Sequence, residues 1–235
     1  MRAGRSPAAF FAGLVAWALI MVSACSSGRV GVSGTDSAQS SIATSRSTST
    51  SPSPPPSPVP PSTTALDPAL EIRDADGRTP LVVATKSRDT DSARRLILAG
   101  ADVNAKDNMQ DSAFLYAGAE GLDDILVLTL DHGADVNSTN RFGGTALIPA
   151  AEKGHPTTVQ ILIDAGVPLD HINASGWTAL LEAVVYGDGS PTYQDIVSRL
   201  LAAGADPGIL DSQGRTALQI AQQRGQTGVA RLLGG

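Results

Sequence analysis

The stretch Asp74-Ala75-Asp76-Gly77-Arg78-Thr79-Pro80-Leu81 decides the fold, because the chain keeps repeating it. It returns as Asp107-Asn108-Met109-Gln110-Asp111-Ser112-Ala113-Phe114, then as Asn140-Arg141-Phe142-Gly143-Gly144-Thr145-Ala146-Leu147. It returns again as Asn173-Ala174-Ser175-Gly176-Trp177-Thr178-Ala179-Leu180, and lastly as Asp211-Ser212-Gln213-Gly214-Arg215-Thr216-Ala217-Leu218. The hydroxyl residues Thr79, Ser112, Thr145, Thr178 and Thr216 set a spacing of 33, 33, 33 and 38 residues. A fixed period in this range marks a stacked array of structural repeats.

A second landmark precedes each new copy. It reads Leu98-Ala99-Gly100-Ala101-Asp102-Val103-Asn104, then Asp131-His132-Gly133-Ala134-Asp135-Val136-Asn137. It continues as Asp164-Ala165-Gly166-Val167-Pro168-Leu169-Asp170 and Ala202-Ala203-Gly204-Ala205-Asp206-Pro207. The two landmarks together resemble the ankyrin repeat. That pattern has a Thr-Pro-Leu opening to a first helix, a Gly-His turn, a second helix rich in Val and Leu, and a Gly-Ala-Asp-Val-Asn ending. The resemblance runs from Asp74 to about Leu233. It implies an all-α, ankyrin-like helix-turn-helix solenoid of about four to five stacked repeats with β-hairpin finger loops. The domain would span 66–235, with repeats at about 74–106, 107–139, 140–172, 173–210 and 211–235. The resemblance implies a fold and no reaction.

Composition fits this. Aromatics are only 4% of the 235 residues, so a core of Leu, Ala, Ile and Val is expected. The net charge of −6 argues against nucleic acid or an anionic membrane surface as a partner, since either needs a basic patch.

The first 24 residues read as a leader rather than as structure. Arg2 and Arg5 form a positive start, and Ala8 to Val22 is an uncharged apolar run. That run is shorter than the ~20 residues of a membrane-spanning helix and suits a signal segment. It ends in Val22-Ser23-Ala24-Cys25, which resembles the bacterial lipobox. By that resemblance Cys25 would carry a diacylglycerol thioether, and the amine freed by cleavage would be acylated, with palmitate for example. Cys25 is the only cysteine in the chain. The alternative is a plain secreted protein cut near Ala24. Several acyl chains on one residue give stable anchoring, so the expected location is the cell membrane, facing the periplasm or exterior. The lipid would be the sole membrane contact.

Residues 25–65 read as a disordered tether. Ser, Thr, Gly, Ala and Pro dominate it, and it includes Ser51-Pro52-Ser53-Pro54-Pro55-Pro56-Ser57-Pro58-Val59-Pro60-Pro61. Such a segment buries too little apolar surface to offset its ordering entropy. The spacer reading is favoured over a proline-rich recognition ligand, because no Arg or aromatic residue flanks the stretch.

Within the array, Leu66 to Arg73 has room for one short helix or turn at the open end, capped by Asp67, with Pro68 first and Glu71 bonding back. Repeat one offers helices at about Pro80–Ser87 and Thr90–Ala99. Repeat two departs most from the pattern, with Gln110 where a turn glycine is usual. In repeat three Pro149 falls in the first helical turn, where a missing amide is tolerated. Repeat four carries the extra residues, in Tyr186-Gly187-Asp188-Gly189-Ser190-Pro191-Thr192. Repeat five reads as a terminal cap with polar Gln222, Gln223, Arg224 and Gln226.

No catalytic constellation stands out. His132, His155 and His171 read as turn residues, and Asp102, Asp135 and Asp206 recur with the repeat, which suits structural caps better than acid–base pairs. The loop Gly187-Asp188-Gly189-Ser190 lacks the lysine of a phosphate loop and the carboxylate spacing of a calcium loop. No metal, cofactor or catalytic residue is assigned, and a non-enzyme is expected.

A binding surface remains. Side chains that vary while the scaffold repeats are its natural candidates. On the fingers these are Met109, Asp111, Arg141, Phe142, Trp177, Gln213 and Arg215; on the first helices they are Tyr116, Glu152, Glu182 and Tyr186. Aromatics and arginine are common anchors of an interface. The expectation is a monomer that binds an unidentified protein in the envelope as scaffold, inhibitor or immunity-type partner. The resemblance is closest to exported bacterial ankyrin proteins, some of which are tied to oxidative-stress defence. The alternatives are an enzyme or small-ligand binder using Tyr186, Asp188 and Tyr193, and a passive envelope spacer.

Overall fold

The computed structural model describes residues 67–235. The expected leader, the lipidation site Cys25 and the tether to residue 65 lie outside the described residues.

Each finger is built by one side chain. Oδ1 of Asp74, Asp107, Asn140, Asn173 and Asp211 accepts the N–H groups two and four residues on, at 2.8–3.1 Å. Two backbone bonds close the same turn. In the first finger the Asp74 N–H donates to Arg78 O and the Gly77 N–H donates to Asp74 O, and the pair recurs in every finger. Among the described residues no strand forms. The fingers expected as β-hairpins are therefore tight turns, too short to extend a ladder. Adjacent fingers are stitched where Asn108 N–H donates to Asp76 O and Ala174 N–H donates to Phe142 O.

The residue before the last in each turn must be left-handed. Gly77, Gly143, Gly176 and Gly214 fill it with φ between 69° and 82°. In repeat two Gln110 takes the same conformation, at φ 62°. A side chain there is strained by roughly 1–2 kcal/mol. The turn survives because Asp107 still holds both N–H groups.

The repeating hydroxyl is a helix cap. Thr79, Ser112, Thr178 and Thr216 accept the N–H three residues on, at 3.2–3.3 Å. They open α1 (Pro80–Lys86), α3 (Ala113–Glu120), α7 (Ala179–Val185) and α9 (Ala217–Gln223). Thr145 does not: its buried Oγ1 has no hydrogen-bond partner among the described residues. There α5 starts late, as Leu147–Glu152. Pro149 lies four residues after Thr145 and has no N–H to give the Thr145 carbonyl, so Ile148 N–H bonds it instead at 3.3 Å. Pro149 does fall in the first turn of α5, as its third residue, where the lost amide has no helical partner, and the helix starts one residue later after its hydroxyl than the others do.

The second helices are α2 (Thr90–Leu98), α4 (Asp123–Asp131), α6 (Pro156–Asp164), α8 (Pro191–Ala203) and α10 (Thr227–Leu232). First helices pack on first helices, α1 through α9, and second on second, α2 through α10. Two helical layers result, and one continuous core of Leu, Ile, Val and Ala runs between them. Gly118 of α3 permits a close approach here, because a Cβ on it would lie 2.9 Å from that of Ala146.

The ends and the insertion differ from the simple reading. A 3₁₀ helix, Pro68–Glu71, buries Leu70 against α1. Glu71 does not bond back; its Oε1 accepts Asp102 N–H at 2.9 Å and ties the end to repeat one. In repeat four α8 is 13 residues against 9 in α2, α4 and α6, so much of the insertion becomes an added helical turn. Gln226, read as a polar cap residue, is buried, and its Nε2 donates to Val184 O and Gly187 O at 3.1 and 2.8 Å.

Candidate functional site

Fingers and first helices from repeats two to four enclose a groove of about 460 Å³. It is lined by Asp111, Tyr116, Arg141, Phe142, Glu152, Trp177, Glu182 and Tyr186, all singled out from sequence. The 33-residue period brings them together, since equivalent positions of successive repeats stack. Met109, Gln213 and Arg215 stand apart. Met109 and Gln213 are exposed fingertip residues. Arg215 is engaged within its own finger, with Asp211 at 2.7 Å and Gln223 at 3.0 Å.

At the repeat-two end the chemistry is closed. Lys86 Nζ lies 2.6 Å from Asp107 Oδ2 and 2.9 Å from Asp111 Oδ2, and 5.3 Å from the centre of the Tyr116 ring. Burial works against the Lys86 ammonium, but its bonds to Asp107 and Asp111 outweigh that and raise its pKa. Burial likewise pushes the Asp107 carboxyl up, while Lys86 and the N–H groups of Asp111 and Met109 bring it net below the ordinary range.

At the repeat-four end it is open. Glu182 is 5% exposed. Its Oε1 accepts Asn173 Nδ2–H at 2.8 Å, and its buried Oε2 has no partner among the described residues. Burial pushes its pKa up to about 7; the Asn173 bond opposes the rise and the Glu152 charge adds to it. Burial also raises the Glu152 pKa, against a lowering by Lys153. The charges of Glu182 and Glu152 add to burial in raising the Tyr186 phenol. These groups therefore share one electrostatic neighbourhood. Trp177 and Tyr186 meet edge to face, with ring centres 5.6 Å apart at 72°. The buried Trp177 Nε1 has no acceptor among the described residues. Phe142 is 57% exposed and Tyr186 54%. Arg141 stacks 4.5 Å over the Phe142 ring.

Sequence reasoning missed Asn173, which both shapes its finger and holds Glu182. The available signal was the change from Asp at positions 74, 107 and 211 to Asn at 140 and 173.

The other candidates have structural tasks. Asp102, Asp135 and Asp206 accept backbone N–H groups two residues on, at 2.8–2.9 Å. His132 Nδ1 donates to Leu128 O at 2.8 Å, and His171 Nε2 to Gly143 O at 2.6 Å. In the repeat-four loop, Asp188 accepts Ser190 N–H at 2.9 Å and Tyr193 hydroxyl donates to Glu152 O at 2.8 Å. Of the three residues of the loop-based reading, Tyr186 lines the groove, whereas Asp188 and Tyr193 are not among its lining residues. Among the described residues no cluster of His, Cys, Asp or Glu could hold a metal ion.

Comparison with known proteins agrees with this architecture. The model of three ankyrin repeats matches residues 114–211, and the single ankyrin repeat matches residues 76–108. A crystallised ankyrin repeat domain from Acinetobacter baumannii AYE is 57% identical, with a TM-score of 0.69, over 70% of this chain and 84% of that one. The crystallised ankyrin repeat protein EF0377 is 45% identical, with a TM-score of 0.68, over 71% of this chain and 84% of its own. A search of the curated proteins finds no match. Ankyrin repeats indicate a protein–protein interaction module, and the fold is typically a non-enzymatic scaffold. A period of 33 residues, capped helix pairs in two layers and these matches lead to one conclusion: the chain belongs to the ankyrin repeat family.

Proposed function

We propose that this chain is a lipid-anchored module that binds a protein partner in the bacterial envelope through the groove of repeats two to four. The groove carries this reading. It joins side chains from successive repeats into one surface, with exposed Phe142 and Tyr186 at its wall. Exposed aromatics on a rigid frame add contact area at little entropic cost. The export half rests on Arg2, Arg5, the apolar run and Val22-Ser23-Ala24-Cys25. Residues 26–64 then act as a tether that holds the array away from the membrane. A scaffold, an inhibitor, an immunity-type partner and a stress-related accessory would all use such a surface.

The test is cross-linking in envelope extract from the full chain, with a photoreactive residue replacing Phe142 or, on the second-helix layer, exposed Val127. A partner joined at position 142, not at 127, and lost on Tyr186→Ala supports the groove. A partner joined equally at both positions, or none at either, contradicts it. Separately, an alkyne-bearing palmitate should label the full chain and not Cys25→Ser; equal labelling would refute the anchor.

A further inference from the structure

Glu152 and Glu182 line the groove, and neither pairs with a cation among the described residues. The nearby cations are engaged elsewhere. Lys153 binds Glu120, and Arg141 lies over Phe142. A carboxylate oxygen as buried as Glu182 Oε2 is ordinarily hydrogen-bonded, and leaving it unmade is unfavourable. Beside the pair stand the rings of Trp177 and Tyr186, set edge to face. Carboxylates with aromatic walls form a receptor for an organic cation.

The same fold contains a filled version two repeats earlier. Lys86 sits between Asp107 and Asp111 and over Tyr116, and the three surround one ammonium. At the repeat-four end the acids and rings are present, and among the described residues no cation is paired with them.

We infer that this end of the groove is a subsite for a cationic side chain, a lysine or arginine presented by a partner protein. Glu152 and Glu182 supply the counter-charge, while Trp177 and Tyr186 form the walls. The inference deepens the protein-binding reading and rests on it. Charge complementarity selects the occupant: an acidic side chain would be repelled by the pair, an apolar one would leave the buried Glu182 oxygen without a donor, and a neutral donor would leave the charge uncompensated.

The probe is a five-residue peptide, acetyl-Gly-Gly-Arg-Gly-Gly-amide, titrated calorimetrically into the full chain in detergent micelles. Its counterpart carries citrulline, which keeps the shape and removes the charge. The arginine peptide should bind about tenfold more tightly than the citrulline peptide, the span of one charge-assisted hydrogen bond. Glu152→Gln/Glu182→Gln should abolish that preference. Trp177 fluorescence, read in a Trp17→Phe background, should change with the arginine peptide. Equal affinity for the two peptides, an unchanged preference in the double variant, or no binding of the arginine peptide would each overturn the subsite. The groove reading fails differently, when the cross-linked envelope partner ignores Phe142 and Tyr186. A subsite that fails while that partner still depends on both leaves the groove intact.

Discussion

The two ends of the groove use one scaffold and opposite charge economies. At repeat two, Lys86 is enclosed by Asp107 and Asp111, so burial is compensated and the Asp107 carboxyl is held below its ordinary range. At repeats three and four, Glu152 and Glu182 meet burial with no ion pair among the described residues, and Glu182 is left half-protonated near neutral pH. Finger and helix geometry are nearly the same at both ends. A repeat array can therefore satisfy one position internally and leave the equivalent region unsatisfied, at some loss of stability, for a partner to complete. The first end holds the array together, and the second is the candidate contact.

Breaking the closed end should have the largest effect. Lys86→Met leaves Asp107, whose side chain is 1% exposed, without its counter-ion. Removing one partner of a buried pair leaves an uncompensated charge, so a loss of about 3 kcal/mol is expected in urea unfolding. A loss under about 0.5 kcal/mol, the scale of an ordinary surface substitution, would show that the pair is only a surface contact.

At the open end the sign reverses. The folded pKa of Glu182 is raised from 4.5 to about 7. Between those values the folded chain binds more protons than the unfolded one. The group's stabilising contribution is thus full below about pH 4.5 and lost as the pH rises through about 7. Glu182→Gln should stabilise the array at pH 8 by roughly 1–3 kcal/mol and change little in acid. Destabilisation at both pH values would mean that the carboxylate is compensated after all.

The smallest effects separate the helix starts. Thr178→Val removes a cap bond of 3.3 Å to Leu181 N–H and should lower stability by about 1 kcal/mol. Thr145→Val removes a hydroxyl with no partner and should leave stability unchanged or raised by up to about 1 kcal/mol. Equal losses in thermal melts would show that Thr145 does cap α5.

The fold was legible because each periodic residue has one physical task that no other residue type does as well. Asp or Asn holds two N–H groups, glycine turns left-handed, and Thr or Ser caps the next helix. Positions that vary within that frame pointed to the groove, since the period stacks equivalent residues. Other features needed coordinates. Thr145 matches the hydroxyl pattern perfectly, yet Pro149 four residues on cancels its cap. Gln226 looked solvent-facing, but the lengthened repeat four presents Val184 and Gly187 carbonyls to it. Arg215 looked like a free anchor, although its spacing of four from Asp211 matches Arg78 and Asp74, which also pair within one finger. The unpaired state of Glu182 was not legible at all, because it depends on where every cation of the neighbouring repeats ends up.

The most direct test of the uncompensated acid pair is the carboxyl ¹³C titration of Glu182 in the full chain, assigned with Glu182→Gln. A midpoint of about 7, falling when the arginine peptide is added, is the predicted result. A midpoint at the ordinary glutamate value of 4.5, unmoved by the peptide, would contradict it.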